Sequence, residues 1–311
     1  MAGLAAPESI VVPDKMLEGI GIDVMVEEVT RVKVAQKRVL LSDGRELDYD
    51  KLFLGMGAHS VIPPIEGIEL NGVLALRGLD DAEKIRAYIV EKKPRNLLFV
   101  GAGFISLEVA TLLASNGNGN HSVTIVELMD RPLPLMLDGD MAAPVREFLE
   151  QKGLTILTGE KVSKFIGNKG QVTGIELASG RSIEADMVFV NVGVRPNTEL
   201  AASAGLEMGR FGIKVTPFQE TSDPHILAGG DCVEKINFIT GKPTPGQLRG
   251  PAVVQGRLAA KRLAGYDIAF PGVLDAGGCK MFDMTITATG FTEERARQEG
   301  FETISAVVDS R

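Results

Sequence analysis

The sequence predicts an α/β protein with two related three-layer domains, each carrying an inserted β-meander, and the start of a third α/β domain. Three observations predict it. The stretches Asp43–Gly57 and Ser179–Gly193 read as two copies of one piece of protein, with Gly44/Gly180, Arg45/Arg181, Asp50/Asp186, Phe53/Phe189 and Gly57/Gly193 identical at matching places. Gly21-Ile22-Asp23-Val24 answers Gly153-Leu154-Thr155-Ile156 upstream. Two copies are too few for a solenoid, so two related domains are expected. Next, the apolar run Leu97–Val100 enters a glycine-rich turn that opens a helix, and a second apolar run follows at Val123–Val126. Finally, 311 residues at 44% hydrophobic content can bury about two domain cores.

The elements follow in order. Ile22–Val26, Val29–Val34 and Arg38–Leu41 are β-rich, Ser42-Asp43-Gly44 makes a turn, and Leu52–Leu54 is an apolar strand. Pro63-Pro64 and Gly67 mark a crossing between domains. A helix starts at Asp80, with Ile85, Tyr88 and Ile89 at helical spacing, and stops before Pro94. A strand at 97–100, a helix at 104–115 and a strand at 123–126 form a βαβ unit. A helix over 140–152 leads into a β-meander over 155–190, and 197–205 is a short helical return. After the turn at 221–224 come a strand at Ile226–Ala228 and a helix over 250–264. The composition shifts after Gly265 and Pro271: Lys280–Ala288 reads as one strand, 292–294 starts a helix, and Thr303–Val308 reads as a final strand. Asn116–Asn120 is expected to be a lengthened surface loop.

The βαβ unit carries the first candidate site. In Gly101-x-Gly103-x-x-Ser106, the first glycine permits a tight turn and the second lets a pyrophosphate approach the backbone. Free N–H groups at the helix start then bind its charge. Ser106 replaces the usual third glycine but is small enough for helix and strand to pack closely. Glu127 ends the second strand about 20 residues further on, where a carboxylate suits adenosine ribose hydroxyls. An ordinary strand–helix turn with an exposed acid is the plain alternative. The second candidate is Ile226–Asp231, a buried strand ending in Gly229, Gly230 and Asp231. It is either an ordinary β-turn or a carboxylate presented at a strand end, with a helix start near Gly250 whose dipole faces a ligand.

Composition excludes several classes. A net charge of −8 with interspersed signs argues against a nucleic-acid surface. No apolar run is long enough to cross a bilayer. The N-terminus lacks a basic n-region and a long apolar core, so no signal peptide is expected and a cytoplasmic location is the default. Two isolated cysteines, Cys232 and Cys279, make no disulfide framework or CxxC site. The three histidines are scattered, His225 reads as a turn residue, and no metal site is expected.

Val100–Glu108, Glu127–Pro134, Val192–Asn197 and Ile226–Asp231 together resemble the FAD-dependent pyridine nucleotide–disulfide oxidoreductases. Gly256–Ala260 and Gly290–Ala296 resemble the branch of NADH oxidase, NADH peroxidase and coenzyme A disulfide reductase. The resemblance implies Rossmann-like FAD/NAD(P)-binding domains: a partial FAD-binding domain over 1–77, an NAD-binding domain over 78–200, a return to the FAD-binding domain over 201–270, and the start of an interface or dimerisation domain over 271–311. It implies FAD and NADH as cofactors, a small-molecule or thiol/disulfide substrate, and a homodimer, with neither nucleic acid nor membrane as partner.

Residue by residue, it implies that Gly101, Gly103 and Ser106 hold the NADH pyrophosphate, Glu127 the adenosine ribose, and Gly193 the nicotinamide half. Phe104 matches an aromatic gate over the flavin and Glu108 a carboxylate near flavin and nicotinamide; a core aromatic and an exposed helix acid are the alternatives. Gly230 and Asp231 would meet the FAD ribitol, Leu248 to Ala252 would run along the flavin pyrimidine edge, and Gly57 would make a flavin-side contact. Gly55-Met56-Gly57 stands where the family usually has Ala-Thr-Gly. Matching the repeat places the counterpart of Gly101 upstream of Met1, so the reading expects a fragment lacking the FAD-side glycine turn and the redox cysteine. Cys232 and Cys279 occupy neither redox position and are expected to be unreactive, partly buried thiols. The implied activity is hydride transfer from NADH to flavin, then to a sulfur centre that reduces a disulfide, peroxide or oxygen. A non-catalytic NADH-binding or redox-sensing module is one alternative. A ferredoxin or nitrite reductase-type flavoprotein is the other, and Gly290–Ala296 argues against it.

Overall fold

The computed structural model describes residues 9, 11–116 and 121–308. The expectations for the extreme N-terminus and for the insert at 117–120 lie outside them. The chain gathers into two compact units. One comprises Ser60–Gly193 and the segment from Ala276 onward; the other comprises the segment ending at His59 and Val194–Asp275. These divisions differ from the sequence-derived boundaries at 77/78, 200/201 and 270/271, and they place the last segment with the central one.

The first unit is built on a five-stranded parallel sheet in the order Val73–Leu74, Met187–Val190, Asn96–Val100, Ser122–Glu127, Thr155–Thr158. A sheet covered on both faces needs strands that are apolar throughout rather than alternating. Asn96–Val100 and Met187–Val190 fit this: every residue from Leu97 to Val100 and from Met187 to Val190 is buried. Phe99 and Phe189, neighbours across the two strands, stack with ring centroids 4.4 Å apart. Helix Leu79–Lys92 buries Ile85 and Tyr88, begins one residue before the expected Asp80, and ends where Lys93 turns left-handed ahead of Pro94. Helices Phe104–Asn116 and Gly139–Gln151 complete the layers. The 155–190 region divides in two: its first and last strands join the parallel sheet. The strands Val162–Asn168, Gln171–Leu177 and Ser182–Glu184 form a separate antiparallel meander.

The second unit contains the matching meander, Val29–Lys33, Arg38–Leu41 and Glu46–Asp48. The repeat is legible at the level of single bonds. Leu41 N–H donates to Arg45 O at 2.9 Å and Leu177 N–H to Arg181 O at 2.9 Å, with Gly44 and Gly180 both left-handed. Leu52–Leu54 pairs in parallel with Ile226–Ala228, and helix Arg249–Leu263 follows. Glu199–Ser203 is the short helical return.

Three expected strands differ. Residues 22–26 form none and are exposed throughout, Val26 to 91%, so the run pairs with no strand among the described residues. Residues 303–308 likewise form no strand, with Ile304 fully exposed, although Thr303 and Ser305 donate side-chain hydrogen bonds to Glu293. The expected single strand Lys280–Ala288 is a hairpin, Gly277–Met281 paired with Met284–Ala288. Its turn is made by Phe282 at φ 52° and Asp283. An aromatic in the left-handed region carries none of the usual Gly or Asn turn signal.

Candidate functional site

In the first unit the chain leaves strand Asn96–Val100, turns at Gly101 and starts helix Phe104–Asn116. Gly101 has φ 95°, and a Cβ there would lie 2.7 Å from Asn191 O, so only glycine fits. Nothing lies within 4 Å of a Cβ placed on Gly103, so the turn is open on that side. Leu107 N–H donates to Gly103 O at 3.1 Å. Gly103 therefore caps the helix, and the first-turn N–H groups have no intrahelical acceptor. Ser106 is fully buried, as close packing at the third small position requires.

Glu127 does more than end a strand. It is 8% exposed, and its carboxylate accepts from Ala102 N–H at 2.6 Å and from Met129 N–H at 2.8 Å. The acid therefore ties the glycine turn to the loop after the next strand. Each oxygen keeps acceptor capacity for a hydroxyl, since an ionised carboxylate offers about four lone-pair sites. Strand Asn96–Val100 sends its connections to strands on opposite sides, which makes its carboxyl end and that of Met187–Val190 a topological switch point, where open α/β sheets bind ligands. Asn191 sits there, its Oδ1 accepting from Leu76 N–H at 3.3 Å. Gly193, two residues on, is exposed at φ 120°. An open glycine turn, unpaired helix-start N–H groups and an acid at the next strand end fit a dinucleotide.

Phe104 and Glu108 lie on the face of this helix that meets strand Gly277–Met281. A Cβ on Gly277 would lie 3.1 Å from Phe104 Cζ, and the Glu108 carboxylate acts electrostatically on Cys279. Cys279 is 3% exposed; burial first, then Glu108, pushes its thiol up to about 11. The loop after Glu127 reaches the same terminal segment. Arg131 pairs with Asp130 and Glu294, and the Asp138 carboxylate accepts from Glu293 N–H at 2.6 Å and Glu294 N–H at 3.1 Å.

In the second unit, Gly230 (φ 82°) and Asp231 follow strand Ile226–Ala228. Leu248 precedes helix Arg249–Leu263, and a Cβ on Gly230 would be 3.7 Å from that of Ala252. Glycine turn, acid and helix start are thus brought together, a donor and acceptor set that fits a flavin's polar chain. Gly57 has φ 67°, and its turn is held by Asn197: the side chain donates to Met56 O at 2.7 Å and the backbone N–H to Gly57 O at 3.0 Å. Cys232 is fully buried, with Sγ donating to Gly229 O and Leu54 O at 3.3 and 3.5 Å. Its thiol is pushed up by burial and not, as its neighbours Asp231 and Glu234 suggest, by nearby acids. The sequence reading missed Lys235 and Gln255, both buried against the Gly230 turn. Neither stands in a pattern that sets it apart from a solvent-facing residue.

These features define an α/β protein of the dinucleotide-binding class. The model of the pyridine nucleotide-disulphide oxidoreductase family matches residues 4–253, and the chain belongs to that family. It is 41% identical over 247 residues to an NADH oxidase of Methanocaldococcus jannaschii, covering 79% of this chain and 54% of that protein. It is 32% identical to a CoA-dependent NAD(P)H sulfur oxidoreductase of Pyrococcus furiosus, covering 98% of this chain and 69% of that one. The solved NAD-dependent persulfide reductase of A. fulgidus superposes with a TM-score of 0.89 at 36% identity, covering 94% of this chain and 54% of that chain. The chain therefore spans about half the length of two of these proteins. No helix among the described residues is long and apolar enough to cross a membrane.

Proposed function

We propose that the protein is an NADH-dependent FAD flavoprotein. It takes hydride from NADH to the flavin and passes electrons to a cysteine-based centre that reduces a disulfide, peroxide or oxygen. The observation that carries this reading is the Gly101 turn at the switch point, with Glu127 bonded into it. The flavin, when bound, supplies the two-electron chemistry. The chain's residues bind and orient. The N–H groups at the start of the Phe104 helix receive the pyrophosphate, Glu127 accepts from the adenosine ribose, and Gly193 leaves room for the nicotinamide half. Phe104 and Glu108 flank the nicotinamide, while Gly57, Gly230, Asp231, Leu248 and Ala252 line the flavin. A thiol/disulfide or other small-molecule acceptor, a homodimer and a cytoplasmic location belong to the same proposal, and the named relatives' substrates support the acceptor class. Anaerobic NADH titration of the purified full-length protein tests it. Bleaching of the visible flavin band is expected; NADH binding with a flavin that stays oxidised would leave a binding module instead.

A further inference from the structure

Lys235 is 2% exposed, yet it belongs to neither nucleotide site as read above. Its ammonium donates to Gly230 O at 2.7 Å, Val233 O at 3.2 Å and Pro245 O at 3.4 Å. A neutral amine carries two hydrogens, so three carbonyl acceptors are satisfied together only by the charged form. Room for its stem comes from Gly246, where a Cβ would lie 2.9 Å from Lys235 Cδ. Gly230 is held from its other end as well: its N–H donates at 3.0 Å to the side chain of Gln255, 1% exposed, from helix Arg249–Leu263. A buried cation and a buried amide therefore grip both ends of the residue that precedes Asp231. Burying an ammonium is expensive enough to persist only where it is fully bonded. Asp231 and Cys232 are the titratable groups whose charge acts on it; both favour the charged form, and burial opposes it.

We propose that Lys235 is a positioning residue for flavin binding: its charge locks the Gly230–Asp231 peptide so that Asp231 meets the ligand's hydroxyls. This rests on the reading of the Gly230–Asp231 turn as the FAD contact. The test compares full-length wild type, K235M and K235R for FAD affinity by fluorescence quenching from pH 7 to 10, with NADH affinity as the control in the other unit. At pH 7, K235M is expected to bind FAD at least tenfold more weakly with NADH affinity within twofold of wild type, and K235R to recover most of the loss. Wild-type FAD affinity should fall as pH approaches 10 while that of K235R does not, because the guanidinium stays charged. Wild-type FAD affinity in a folded K235M would overturn the assignment. If K235M does not fold, identical pH profiles for wild type and K235R would overturn it. A wild type that binds NADH but no FAD would instead remove the flavin reading, and the assignment with it.

Discussion

Glu127 shows how one carboxylate can serve fold and ligand together. Two backbone N–H groups keep it in place, so a 2′-phosphate arriving at the adenosine ribose would face a fixed negative charge. Like charges about 4 Å apart repel by roughly 4 kcal/mol at an effective dielectric near 20, and by about 1 kcal/mol in open water. Even the lower figure is about fivefold in affinity. NADH is therefore expected to bind at least fivefold more tightly than NADPH, with Glu127→Gln narrowing the gap. Titration of both nucleotides decides it, and equal wild-type affinities would remove Glu127 from the ribose site. The cysteines permit a second prediction. A thiol pushed up to about 11 is only about one-thousandth thiolate at pH 8. Iodoacetamide should label Cys279 in the native protein tens of times more slowly than free cysteine, and Cys232→Ser/Cys279→Ser should keep both NADH-dependent flavin bleaching and steady-state turnover. A several-hundred-fold loss of turnover with bleaching and flavin content unchanged would make one of these thiols the redox centre.

Among the elements, helix Glu293–Gln298 is too short to be stable alone, and its first turn is held from outside. Thr292 Oγ1 accepts from Arg295 N–H at 3.1 Å, and the Asp138 carboxylate accepts from two further N–H groups. Asp138→Ala should destabilise this helix by about 1–2 kcal/mol. Hydrogen exchange over 293–298 would rise well above that of the Phe104 helix; unchanged protection would show that Thr292 alone suffices. The start of this helix was legible because an N-cap Thr followed by acids has a local cause. The parallel strands were legible for a similar reason, since burial on both faces forces continuous apolar runs. Residues 22–26 and 303–308 misled because strand propensity describes only what a segment can do when a partner is present. The Phe282 turn was hidden by an unusual backbone conformation. The grip of Asn197 and Gln255 on glycine turns was illegible because each contact joins residues brought together only by folding. Lys235 lies close to Gly230 in sequence, but nothing local shows a lysine turning inward onto backbone carbonyls instead of outward to water.

Across the molecule, two units with separate cores should respond separately to their ligands. NADH at 100 times its dissociation constant adds about 2.7 kcal/mol to whatever unfolds with its site. Hydrogen exchange with NADH should therefore slow at Gly101–Glu108 and Glu127. Protection appearing instead around Gly230–Asp231 would exchange the roles given to the two units. Alkaline stability follows from Cys279. Its folded value, about 11, lies above the ordinary 9, so its contribution is fully present below pH 9 and is lost as pH rises through 11. The loss is on the order of 2 kcal/mol. Cys279→Ser should flatten the fall in melting temperature between pH 9 and 11, and an unaltered slope would place the alkaline lability elsewhere.

The interleaving of the two units has a consequence for synthesis. Leu52–Leu54 leaves the ribosome early, but its parallel partner Ile226–Ala228 comes much later; Lys51 donates to Pro224 O across 173 residues of chain. At roughly 5–20 residues per second the wait is roughly 10–35 s. Throughout that wait the nascent chain displays an unpaired apolar edge while Ser60–Gly193 is already able to collapse around its own sheet. The vulnerable window for aggregation therefore lies between the synthesis of Leu54 and that of Ile226. A holdase that binds short apolar segments should associate with stalled chains ending before Ile226, and release those extended beyond the Arg249–Leu263 helix.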